Sequence, residues 1–129
     1  MILLSLLTSC MDITDSRGIT TRNKSNNSIY CFYLQHELTT MHSLPEYSFP
    51  PHETKAKEDD CNLIVKPRWE EYIKTCDNQK IRYYIVKKDS VDKYGWETIF
   101  SNNIYNKKYF FTIKELDRLN WTITYGGNK

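Results

Sequence analysis

The spacing of apolar and polar positions changes period several times along the chain. Ile19–Arg22 and Ile29–Leu34 read with period two, the mark of strands, and Asn23–Ser28 between them is rich in Asn and Ser, which accept left-handed or self-bonded backbone. In the second run Ile29, Cys31 and Tyr33 face one way, and Tyr30, Phe32 and Leu34 the other. Both sets are apolar, which predicts a central strand covered on both sides. Gln35–Asp60 is the least regular stretch: Leu44-Pro45 and Pro50-Pro51 predict an extended loop, and the alternating charge of Lys55–Glu58 a short edge strand. Cys61–Val65 is a compact apolar run and a further strand candidate.

From Pro67 the period lengthens. Trp69, Tyr72, Ile73 and Cys76 fall at i, i+3, i+4 and i+7, one face of a short helix entered through Pro67-Arg68. Ile81–Lys88 returns to period two, with Ile81, Tyr83 and Ile85 opposite Tyr84 and Val86. Asp89 or Ser90 is expected to cap a helical segment over Val91–Ser101, interrupted near Gly95, with Trp96, Ile99 and Phe100 turned inward. Tyr109–Ile113 is the next strand, and Thr112-Ile-Lys-Glu115 a capping box that opens a short helix burying Leu116 and Leu119. Trp121–Tyr125 closes the pattern, with Trp121, Ile123 and Tyr125 on one side. Period-two runs alternating with helical runs too short for parallel crossovers predict an α+β fold. It should be mainly antiparallel sheet or β-sandwich, with three short helices near 69–76, 90–101 and 113–119.

Met1–Cys10 fits neither period. Its Leu7-Thr8-Ser9-Cys10 reads as a lipobox: an aliphatic residue, two small ones, then the cysteine that a lipoprotein pathway acylates. Residues 1–9 are then a signal peptide, 10–17 a lipidated tether carrying its lipid on Cys10, and 18–129 a single globular domain. Ile2–Leu7 is far too short to cross a bilayer, which takes about 20 apolar residues. No Lys or Arg precedes Cys10, so the leader reads as truncated. A single acyl chain anchors only reversibly, whereas the several chains of a bacterial lipoprotein give stable attachment. The expected address is the cell envelope, periplasmic or on the exposed face of the outer membrane.

Composition narrows the classes. With 40% hydrophobic and 26% charged residues the chain has the make-up of a globular protein. A net charge of +2 from 18 basic and 16 acidic residues, interspersed, lacks the clustered basic face of a nucleic-acid binder. Aromatics reach 14%, with ten tyrosines, more than one small core is expected to hold. Trp69, Trp96 and Trp121 lie on apolar stripes and are expected in the core. Tyr83, Tyr84, Tyr94 and Tyr105 are the candidates for an exposed platform that stacks on sugars or anchors a partner protein.

The signs of catalysis are thin. His36, His42 and His52 are weak candidates for a metal site: His36 and His42 are six apart rather than i, i+4, and solvated loop histidines explain all three. The chain has no G-x-S-x-G elbow, and Cys31 and Cys76 fall on apolar faces where a thiolate is disfavoured. With Cys10 acylated, Cys31, Cys61 and Cys76 remain, an odd number with no C-x-x-C pair. No catalytic residue and no cofactor is expected.

The last third carries a resemblance. Lys93-Tyr-Gly-Trp96-Glu-Thr-Ile99 and Leu119-Asn-Trp-Thr-Ile-Thr-Tyr125, together with Asn26-Asn27-Ser28, resemble a family of small lipoproteins of the Bacteroidetes. Its members combine a lipobox, an Asn-Asn-Ser strand pair, a KYSWEEI-type helix and an ending near LSLEDLERLNWTITYP. The resemblance covers nearly the whole chain and is strongest from Asp89 onward. The sequence departs from the family in its short leader and in Gly126-Gly127, where the family ends on Pro. The resemblance implies the envelope address and the fold, and brings no catalytic residues. The leading expectation is a lipid-anchored, non-catalytic envelope protein that binds a partner protein or a surface glycan. The alternative is a small envelope enzyme, metal-assisted through the loop histidines.

Overall fold

A computed structural model describes residues 17–37, 51–63 and 68–127, with only the backbone at His52 and at 60–63. The leader, Cys10 and the tether as far as residue 16, His42, Pro45 and Pro50, and the 64–65 end of the expected strand lie outside the described residues.

The architecture is α+β, with two sheets and four short α-helices among the described residues. Strands β1 (Ile19–Asn23), β2 (Ile29–Leu34), β3 (His52–Thr54) and β4 (Asp59–Leu63) come first, then helix α1 (Trp69–Lys74). Strand β5 (Ile81–Lys87), helices α2 (Lys88–Tyr94) and α3 (Trp96–Ser101), strand β6 (Lys107–Phe111), helix α4 (Ile113–Arg118) and strand β7 (Thr122–Tyr125) follow. The larger sheet is antiparallel with order β3-β2-β5-β6. The smaller, β4-β1-β7, pairs β1 antiparallel to β4 and parallel to β7.

Strand β5 organises the interior. Six of its seven residues are buried, because both faces of its sheet are covered. Ile81, Tyr83 and Ile85 join Ile29, Cys31, Trp69, Ile73, Leu116 and Ile123 in a core between the larger sheet and the smaller sheet with α1 and α4. Tyr84 and Val86 join Phe32, Leu34, Ile99 and Phe100 in a second core beneath α2 and α3. Two cores resolve the apparent surplus of aromatics. On the first side Trp69 packs its ring centroid 5.6 Å from Tyr33 and 5.2 Å from Trp121. On the second, Phe32 stacks on Tyr84 at 4.9 Å, and Tyr105 meets Tyr84 at 4.6 Å.

The structure corrects several local expectations. Lys55–Glu58 is the turn joining β3 to β4 rather than a strand: Glu58 N–H bonds to Lys55 C=O at 3.1 Å and Lys57 takes φ +66°. His52–Thr54 supplies the edge strand instead, its backbone pairing with β2. Helix α2 starts at Lys88, before the expected Asp89 or Ser90 cap, and has no side-chain cap. Gly95 does divide the helical segment, at φ +81° and ψ 155°, a region essentially reserved for glycine. The Thr112–Glu115 capping box forms in both directions. Leu116 is buried beneath it, whereas Leu119, the C-cap residue just past the helix, is exposed. Of the three tryptophans, Trp69 is fully buried, while Trp96 and Trp121 are partly buried and pack against the cores from their rims.

Candidate functional site

One residue in β5 breaks the apolar run: Arg82, between Ile81 and Tyr83. It shares a face with Tyr84 and Val86, paired across the sheet with Leu34 on one side and Phe110 on the other. An arginine in such a position must find counter-charges, because an unpaired buried charge is strongly unfavourable. Its residue exposure is 7%. Glu37, just past the end of β2, turns back and accepts from Arg82 Nε at 2.7 Å. The second Glu37 oxygen accepts from Lys108 Nζ of β6. Asp77, in the tight turn 77–79, sits 3.8 Å from Arg82 Nη2 and accepts the Glu37 backbone N–H at 3.3 Å. Its other oxygen is 2.8 Å from His36 Nδ1.

Aromatic rings frame these charges. The Arg82 guanidinium lies 5.1 Å from the Phe110 ring centroid, and Lys108 Nζ 5.4 Å from it. Lys108 Nζ is also 5.5 Å from Tyr84 and 5.9 Å from Tyr105. Phe110 is 46% exposed, so its ring is open to solvent while the two cations that Glu37 bridges lie within 5.1–5.4 Å of its centroid. Strand β6 is the last strand of its sheet in the order of pairing. Two buried polar atoms, Arg82 Nη1 and the Tyr84 hydroxyl, have no hydrogen-bond partner among the described residues.

The protonation states set what this arrangement can do. Hydrogen bonds from Lys108 and then Arg82 hold the Glu37 carboxyl below its ordinary value, against the opposing effect of burial. Asp77 is likewise lowered, first by His36. Burial drives the Tyr84 hydroxyl upward and pushes Tyr105 to about 12, helped in both by the Glu37 charge. Burial also raises the Cys76 thiol to about 11. Glu37 is thus a fixed anion, the two tyrosines are fixed neutral donors, and the Cys76 thiol is a poor nucleophile. The arrangement is suited to holding a surface in place and presenting an aromatic ring beside cations.

The residues singled out from the sequence are dispersed. Tyr83 and Tyr84 are fully buried, one on each side of β5, and so form no surface platform; the Tyr83 hydroxyl is bonded to Thr21. Tyr94 is exposed on α2 and Tyr105 is half-buried against Tyr84. His36 belongs to the Asp77 pair, His52 lies on β3 by its backbone, and His42 is outside the described residues. Among the described residues no group of three or more His, Cys, Asp or Glu side chains could hold a metal. Arg82, Glu37, Lys108 and Asp77 are the members that sequence reasoning missed. The one available signal was an arginine inside the otherwise apolar Ile81–Val86. Among the described residues no helix is long and apolar enough to cross a membrane. Comparison with protein-family models, with curated proteins and with solved structures finds no match for the chain.

Proposed function

We propose that the chain is a lipid-anchored, non-catalytic protein of the cell envelope that binds a partner protein or a surface glycan. The observation that carries the binding reading is Phe110: a large apolar ring, open to solvent, beside the Arg82 and Lys108 cations on a strand at the margin of its sheet. Aromatic rings beside arginine are over-represented at the centres of protein interfaces, and the same ring faces stack on sugars. The address rests on Leu7-Thr8-Ser9-Cys10 and on the resemblance to small lipoproteins of the Bacteroidetes.

Two variants test the two halves. The wild-type chain, expressed behind a functional lipoprotein signal sequence joined ahead of Cys10, is expected to yield a membrane-associated protein that incorporates labelled acyl chains, and Cys10→Ala to lose the label. Equal labelling of both proteins refutes the anchor. For binding, the intact chain and Phe110→Ala are compared on arrays of envelope glycans and in photo-crosslinking from position 107 on intact cells. A discrete ligand or crosslinked protein that Phe110→Ala loses, with an unchanged thermal midpoint, supports the reading. Identical profiles for the two proteins refute it.

A further inference from the structure

At the opposite end of the larger sheet, a concavity of about 550 Å³ is lined by Arg22, Asn23, Lys24, Lys57, Asp59 and Gly127. Three cations and one carboxylate border it, so the described lining carries a net of two positive charges. Three segments distant in sequence supply them: the end of β1 with its turn, the β3–β4 turn, and the glycines after β7.

A buried scaffold holds these segments together. The Asn23 side chain, 1% exposed, donates to the carbonyls of Asn27 at 2.8 Å, Thr54 at 3.2 Å and Lys55 at 3.1 Å. Its oxygen accepts from Ser25 N–H at 3.0 Å and Ser25 Oγ at 2.6 Å. Lys24 N–H donates to Tyr125 C=O at 2.8 Å, which fastens the end of β7 to the turn. Gly126, at φ +78°, passes so close that an added Cβ would sit 2.8 Å from Ser25 Cβ. Gly127, at φ +84°, leaves room for the Lys24 stem, whose Cβ would be 3.3 Å from a Cβ there.

The cations are gathered but weakly neutralised. Lys57, in its left-handed conformation, places Nζ 2.8 Å from the Lys24 carbonyl oxygen. Arg22 Nε reaches both Asp59 oxygens only at 3.3 Å, and both side chains of that pair are about half exposed. Such an exposed pair contributes about 0–1 kcal/mol. A non-glycine residue with positive φ and converging like charges are unfavourable by themselves, and such arrangements cluster at ligand sites.

We infer that this concavity is a binding site for a phosphate monoester group. A phosphate monoester carries about −1.5 to −2 charge near pH 7 and presents three strong acceptor oxygens, which matches the two net positive charges of a lining that holds three cationic residues. The concavity is larger than a phosphate alone, leaving room for the body that bears it. This site is separate from the Phe110 surface and does not depend on it.

The test uses the full chain with Cys10→Ala, so that no acyl chain holds the protein to a membrane. Inorganic phosphate is titrated at constant ionic strength, set with chloride, while amide resonances of Lys24–Asn27 and Gly127 are followed. Phosphatidic acid vesicles and phosphatidylcholine vesicles form the second arm. Saturable shifts, weakened at least tenfold in Lys24→Ala/Lys57→Ala and unchanged in Lys93→Ala on α2, are expected. Asp59→Asn should tighten binding severalfold. Selective recruitment to phosphatidic acid, lost in the double variant, assigns the phosphate to a lipid headgroup; saturation without recruitment assigns it to a soluble ester. Shifts that never saturate, that chloride reproduces, or that the folded double variant retains would overturn the site.

Discussion

At the Leu34–Arg82–Phe110 end of the larger sheet, charged side chains are drawn against one another: Glu37 spans Arg82 and Lys108, and Asp77 closes on His36 and Arg82. At the other end, beside the β1–β2 turn, three cations line an open concavity, with Arg22 held to Asp59 only at 3.3 Å. The difference follows from burial. Arg82 comes out of a strand covered on both faces, so its charge must be answered from within the chain. Arg22, near the end of β1, and Lys24 and Lys57, on turns, stand at the surface, where solvent lowers the need for a counter-charge from within the chain.

The sharpest way to break the open end is through its scaffold. Gly126→Ala adds a Cβ within 3 Å of Ser25 at a positive φ and should cost about 2–3 kcal/mol, read as a lowered denaturation midpoint with unchanged slope. At the closed end, Glu37→Gln weakens two charge-assisted bonds and should cost about 1–2 kcal/mol. It also carries a pH signature. The folded pKa of Glu37 lies below its ordinary 4.5, so its contribution is complete above that value and fades as pH falls through the lowered one. The stability gap between wild type and Glu37→Gln should therefore be flat above about pH 5 and close at lower pH, measured by thermal melts across pH 2–7. A gap that widened on acidification would contradict the pairing.

Smaller effects sharpen the contrast. Tyr84→Phe removes a buried hydroxyl with no partner among the described residues and should raise stability by up to about 1 kcal/mol. Lys24→Ala/Lys57→Ala should leave stability within about 0.5 kcal/mol of wild type, as surface substitutions do. A loss above 2 kcal/mol there would make those lysines structural and erase the distinction between the two ends.

Local signals were readable along the chain. Strands β2, β5 and β7, the Gly95 break and the Thr112–Glu115 box follow from neighbours within a few positions, and the sequence displays them. The β3–β4 turn was misread because alternating charge marks solvent exposure whether the backbone is strand or turn. Nothing local announced that β1 would run parallel to β7, or that covering both faces of the larger sheet would give the aromatics two cores to fill. The closed end was harder still. Glu37 lies 45 positions from Arg82 and beyond the end of its own strand, where no periodicity operates. The Asn-rich turn was visible, but its meeting with Lys57 and Gly127 depends on three segments converging.

The parallel pairing of β1 with β7 also governs when the molecule is finished. Thr20 and Thr21 stand opposite Thr122 and Ile123, roughly a hundred positions later, while β4, on the other side of β1, arrives about forty positions after it. Closing so long a loop is entropically slow. On a ribosome, β1 emerges early and waits with an open edge until almost all the described chain has followed. During that interval Ile19–Asn23 is a bare template for pairing with another nascent chain. Loss of β7 therefore leaves a species whose hazard is aggregation in synthesis, and whatever escorts the unfinished chain must cover that edge.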